Sequence, residues 1–204
     1  PAMEADLRPT SAELAAWGVT GAAPSAVVTL AERLLFTAAA FRLGLVSTVV
    51  LPGYNDDPHG AFSDLAATTA RADGLAAILD GFYAELAAHD EAACRHDGQP
   101  LSLADNVVMV VSGDTPKSSF NRSGWPDGTP GNSNWLYVRS NGFLQPGWFG
   151  AVSATTRTNF DPTTGAASAG ASVTQSTTAA QLGILHAIAR GDAGVVAAAS
   201  AAPY

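Results

Sequence analysis

The chain has 204 residues, 47% of them hydrophobic and 14% charged, with 18 acidic against 10 basic side chains and a formal net charge of −8. That length and apolar share suit a single globular domain with a real core. Without a Lys/Arg cluster the electrostatic footprint of a nucleic-acid or anionic-membrane binder is missing, and no apolar stretch is long and unbroken enough to span a bilayer.

The chain begins Pro1-Ala2-Met3 with no basic-plus-apolar leader, the pattern expected of a processed protein or fragment whose export signal has gone. Cys94 is the one cysteine, so no intrachain disulfide forms. Residues 1–26 read as an Ala-rich lead-in closed by GAAPS, with Ser25 placed to cap a helix. From Val27 to Leu43, the apolar residues Val27, Leu30, Leu34, Ala38 and Phe41 recur at three and four positions, one face of a helix that Gly44 stops. LVSTVVL (45–51) is β-branched and almost wholly apolar, as in a strand covered on both faces, and Pro52-Gly53 ends it.

After GYNDDPHGAF (53–62) a second helix is expected from Asp64 to His89, with Leu75, Ile78, Leu79, Phe82 and Leu86 along one side. RHDGQPLS (95–102) reads as a polar break and NVVMVV (106–111) as a second buried strand. Helix, strand, helix, strand predicts an α/β fold with a mostly parallel sheet flanked by helices. Residues 112–134 are loop chemistry, dense in Gly, Pro, Asn and Ser; 135–140 reads as a strand and 147–153 as a short strand or turn. The α/β core then spans 27–153. Residues 154–175 read as an exposed Thr/Ala/Gly-rich loop, and 176–204 as a last helix, with Leu182, Leu185, Ile188 and Ala189 inward, and a tail.

In a parallel α/β sheet ligands bind beyond the carboxyl ends of the strands. The loop after 45–51 carries Asp56, Asp57 and His59; the loop after 106–111 carries Asp114 and Lys117. Were the two strands neighbours, carboxylates and an imidazole would meet as donors for Zn²⁺, Mn²⁺, Mg²⁺ or Ca²⁺, with Lys117 facing a phosphoryl or sulfuryl group as a point charge. The plainer readings stand beside this one. Asp-Asp-Pro-His after Pro-Gly is also turn and cap chemistry, and Asp114-Thr-Pro is also an Asx-turn. His89 and His96 suit a helix end, His186 a packed or surface position, Cys94 an inert thiol, and Trp125, Trp135 and Trp148 loop anchors. GxSxG, P-loop, GxGxxG and CxxC patterns do not occur.

The segments LAERLLFTAAAFRLGLVSTVVLPGYNDDPHGAF, ADGLAAILDGFYAEL, NVVMVVSGD and GNSNWLYVRSNGFLQPGWFG follow one another in an order that resembles the C-terminal half of domain-of-unknown-function family 1501. That is a mostly exported bacterial group similar to the alkaline phosphatase and sulfatase superfamily, and the resemblance covers about residues 27–190. The family's Asp-x-His corresponds to Asp57-Pro58-His59. Ser112, Asp114 and Lys117 stand where it carries Ser-Glu/Asp-Phe-Gly-Arg, without the Phe-Gly, and Gly147 and Gly150 match its Gly-x-x-Gly ending.

The resemblance implies an alkaline-phosphatase-like partial fold, an exported location, and a divalent metal (zinc, manganese or calcium) on Asp57, His59, Asp114 and Asn134, with Lys117 catalytic. Where the superfamily has a metal-binding Asp-His pair this chain has Ser133-Asn134, which removes two ligands for zinc and leaves an amide oxygen for a harder cation. The superfamily's nucleophile belongs to an N-terminal half not represented here, so a partner chain completing the fold is expected. The implied function is a non-catalytic binding or structural role in an exported or cell-surface assembly; the alternative is a metal-dependent hydrolase of phosphate or sulfate esters, or half of one.

Overall fold

The computed structural model describes residues 6–54, 63–96, 99–113, 135–140, 142–152 and 157–201. Contacts divide the chain into two units, Pro1–Asn106 and Val107–Tyr204, and both contain helices and small sheets, so the protein is mixed α/β.

The first unit is built on two long helices. The lead-in belongs to its core. Thr10 opens α1 (Ser11–Ala16) with a capping box: Glu13 N donates to Thr10 Oγ1 at 3.2 Å and Thr10 N donates to Glu13 Oε2 at 2.7 Å. Behind that helix Trp17 and Val19 are buried. Helix α2 (Ser25–Arg42) buries Val27, Leu30, Ala31, Leu34, Leu35 and Ala38, the stripe its periodicity announces. Its buried Thr37 hydroxyl is satisfied by donating to Arg33 O at 2.8 Å. Helix α3 (Leu65–Ala87) starts at Asp64, whose Oδ1 accepts from Ala67 N at 2.9 Å, and buries Ile78, Phe82, Tyr83 and Leu86.

Two glycines of α3 allow close packing. A Cβ at Gly74 would lie 3.1 Å from Val27 Cγ2, and one at Gly81 would lie 2.5 Å from Trp17 Cγ, so the indole rests on the bare backbone. Strand β1 (Asp90–His96) pairs antiparallel with β2 (Gln99–Ser102) in the stretch expected to be a polar break. Its signal was present: the two residues between paired His96 and Gln99 are Asp97 and Gly98, the signature of a two-residue hairpin loop. The short helix α4 (Leu103–Asn106) buries Leu103 and Ala104.

The second unit is made of short ladders and helices. Strand β3 (Met109–Ser112) pairs antiparallel with β4 (Leu136–Arg139), Val110 opposite Val138. Strands β5 (Ala151–Val152), β6 (Arg157–Phe160) and β7 (Ala167–Ser168) form a three-stranded antiparallel sheet, so the stretch 154–175 contains ladder residues as well as exposed ones. Helix α5 (Val173–Ile188) begins with a Ser172/Gln175 capping box and is tied to β6 by Ser176 Oγ donating to Phe160 O at 3.1 Å. Of its expected inward residues, Leu185 and Ala189 are half-buried, whereas Leu182 and Ile188 are exposed; Ala187 is the buried one. Helix α6 (Ala193–Ala201) follows in the Ala-rich tail.

Two sheet expectations change. Every ladder among the described residues is antiparallel, where a mostly parallel sheet was expected. The segment 45–51 forms no ladder among the described residues; the chain bends at Leu45 and Ser47, and the segment is mostly open to solvent, with Val50 90% exposed and Val49 and Leu51 half-buried. The physical reason is that an apolar β-branched run signals a demand for burial without naming what supplies it. Helices α2 and α3 bury their faces on each other, and 109–112 takes its partner from 136–139 instead.

Candidate functional site

The sequence candidates Asp57 and His59 lie in the first unit's chain, and Asp114, Lys117 and Asn134 in the second's; all five lie outside the described residues. What the structure shows is how their flanks are held. In the first unit, Arg33 Nη1 donates to Pro52 O at 3.2 Å, which fastens the chain just before residues 55–62 to helix α2. Just after them, Asp64 acts as the α3 cap, so one carboxylate of this acidic stretch is used in structure. In the second unit, Gly113 N donates to Trp135 O at 3.3 Å, extending the β3–β4 ladder. Gly113 and Trp135, the described residues on either side of 114–134, therefore lie at the same end of that ladder.

Two of the remaining candidates, His89 and His186, have structural partners. His89 Nε2 lies 3.1 Å from Glu85 Oε1, one helical turn back. His186 Nδ1 lies 3.2 Å from Phe143 O and so joins α5 to the loop after β4. Cys94 lies on β1. Among the described residues no group of three or more His, Cys, Asp or Glu side chains is arranged to hold a metal ion, and no helix is long and apolar enough to cross a membrane.

Two features of the second unit escaped the sequence reading. The first is an open groove of about 600 Å³ at the start of α5, lined by Asp161, Thr163, Ser168, Thr174, Gln175 and Thr178 among others. Asp161 Oδ1 accepts from Thr163 N at 2.8 Å and from Thr164 N at 2.9 Å. The backbone N–H of Thr164, then that of Thr163, holds the carboxyl below its usual range. This is an Asx-turn closing the β6–β7 connection, legible as Asp-Pro-Thr-Thr-Gly.

The second feature is aromatic exposure. Trp148 is 70% exposed and Trp135 52%, with Tyr137 and Phe149 also open. Phe149 keeps a footing: its ring centroid is 5.7 Å from that of Phe160. Periodicity carries no information about loop and edge aromatics, so their exposure had no signal in the sequence.

No protein-family model, curated protein or solved structure matches the chain.

Proposed function

We propose that this chain is a non-catalytic binding or structural domain of an exported or cell-surface assembly, a divergent member of the alkaline phosphatase and sulfatase group. One observation carries the binding role: the second unit holds Trp148, Trp135, Tyr137 and Phe149 in water. Aromatic side chains of this size are expensive to leave solvated and are enriched where proteins meet partners. The superfamily relationship rests on the ordered sequence segments, and in this reading a partner chain completes the fold. The Ser133-Asn134 replacement supports loss of catalysis, because two donors a zinc site needs are gone.

A second reading, a metal-dependent hydrolase of phosphate or sulfate esters, is favoured by Asp57-Pro58-His59 together with Asp114 and Lys117. Two carboxylates, one imidazole and the Asn134 amide make a donor set that fits manganese or calcium better than zinc. When bound, such an ion would polarise the ester; Lys117 would balance charge on its oxygens.

The test is turnover of an aryl phosphate and an aryl sulfate by the chain supplied with Zn²⁺, Mn²⁺ or Ca²⁺. The expected result is no rate above the metal-only control. Turnover that falls at least about a hundredfold in Asp57→Ala and His59→Ala would replace the binding reading with the hydrolase.

A further inference from the structure

The groove of about 600 Å³ in the second unit lies between the turn that follows β6 and one face of α5. Its walls are held in place by the protein itself. Asp161 Oδ1 is fixed by the Thr163 and Thr164 N–H groups. Gln175 Oε1 accepts from Ser172 N at 3.2 Å and from Ser172 Oγ at 3.0 Å, and Ala171 O accepts from Asn159 Nδ2 at 2.9 Å. The volume falls within the range of small-molecule sites, about 300–1,000 Å³, and walls already ordered cost a ligand little entropy.

The groove is polar but almost uncharged. Asp161 is the one titratable residue lining it, and from Pro162 to Ala189 the chain contains no Asp, Glu, Lys or Arg. The N–H groups of Thr164 and Thr163 favour the Asp161 anion. Around that carboxylate stand the hydroxyls of Thr163, Ser168, Thr174 and Thr178, none of them committed to a hydrogen bond among the described residues. Gln175, its oxygen used in the cap, keeps two N–H donors. Thr174, Thr178 and Leu182 recur every four residues, so hydroxyls and an apolar side chain share one face of α5.

This lining excludes most ligands. An anion meets no cation, and a divalent cation meets a single carboxylate with one oxygen already taken by two N–H groups. A neutral molecule rich in hydroxyls fits. Its O–H groups find one strong charge-assisted acceptor and several groups that both donate and accept, and Ala179 and Leu182 offer apolar surface to its C–H face. We infer that this groove is a carbohydrate site, which takes one pyranose ring of a neutral sugar through Asp161, Gln175 and the Thr174 and Thr178 hydroxyls. A free sugar and the end of a glycan chain share that chemistry.

The inference goes beyond the binding reading, which stands on exposed aromatic residues. Sugar binding without divalent metal and ester turnover with it are separate measurements, so the two fail separately.

The experiment is saturation-transfer NMR of the full chain in metal-free buffer, with the methyl glycosides of glucose, mannose, galactose and N-acetylglucosamine as probes. At least one is expected to bind with a dissociation constant of about 1 mM. Thr178→Val and Asp161→Asn are each expected to raise that constant at least about fivefold, with an unchanged circular dichroism spectrum. If Asp161→Asn fails to fold, Thr178→Val decides alone, since it keeps the β-branched shape at an exposed helix position. Tighter binding of a trisaccharide of the same sugar would assign a glycan chain, and equal binding a free sugar. No binding of any glycoside up to about 20 mM would overturn the proposal. Binding indifferent to both variants would overturn it too, because the sugar would then lie elsewhere. So would displacement of the glycoside by methylammonium that is lost in Asp161→Asn, which would make the groove a site for organic cations.

Discussion

The two units of the chain are stabilised in different ways. Of the buried apolar side chains among the described residues, all but Ala187 belong to the first unit, where Trp17, the α2 stripe and the α3 stripe pack together. The second unit is held by ladder bonds, an Asx-turn, a capping box and a few half-buried aromatics. Their charges differ as well. The first carries 14 acidic against 5 basic residues, net −9, and the second 4 against 5, net +1. Hydrophobic burial carries the first, so its weak points are methylene groups. In the second, backbone geometry has a larger share, so its weak points are turns and caps.

Ile78→Ala tests the first half of that contrast and has the largest expected effect. Ile78 is fully buried on α3, and an Ile-to-Ala truncation in such a site costs about 2–5 kcal/mol. Denaturant unfolding should show an unfolding free energy lowered by that amount, and hydrogen exchange should show lost protection along α2 and α3. If α5 amides lose protection to the same extent, the units unfold as one and the contrast fails as a statement about stability.

Helices α2 and α3 were legible because a long 3.6-residue stripe has one physical meaning: Val27, Leu30 and Leu34, and again Ile78, Phe82 and Leu86, must face something. Their ends fall within about two residues of the sequence boundaries. The strands were less legible because short apolar runs do not encode their partners. NVVMVV was read as a strand and contains β3, but its antiparallel pairing with 136–139 is a non-local choice. LVSTVVL announced a need for burial that the described residues of this chain do not meet. The Thr10/Glu13 box and Asp97-Gly98 were local signals that could have been found. Of the candidate site, residue types and spacing were visible at Asp57, His59, Asp114, Lys117 and Asn134. Their meeting requires two segments that belong to different units, and periodicity has no bearing on such an encounter.

Gly165→Ala tests the second half of the contrast. Gly165 has φ +71, and a Cβ there would lie 2.6 Å from Phe149 Cδ1. A left-handed non-glycine residue costs about 1–2 kcal/mol, and Phe149, 43% exposed, has room to swing away. The expected loss is therefore about 1–2 kcal/mol from backbone strain. Thermal unfolding, followed by the fluorescence of neighbouring Trp148, checks it. No loss would mean that the Asp161–Ala166 turn does not support the sheet it closes.

The smallest effect expected is the pH dependence at Asp161. Its folded carboxyl titrates below the usual aspartate range because the Thr164 and Thr163 N–H groups favour the anion. The folded state thus binds a proton less readily than the unfolded one. The resulting stabilisation is present above the unfolded value, near about 4, and is lost as pH falls through the lower folded value. Asp161→Asn keeps a side-chain oxygen for the turn but has no charge to lose. Wild type should be the more stable at neutral pH, and the gap should close on acidification through and below about pH 4; melting temperatures of both proteins across that window measure it. A gap constant with pH would mean that the N–H groups stabilise any acceptor equally, and that the turn is held by its geometry rather than by the carboxylate's charge.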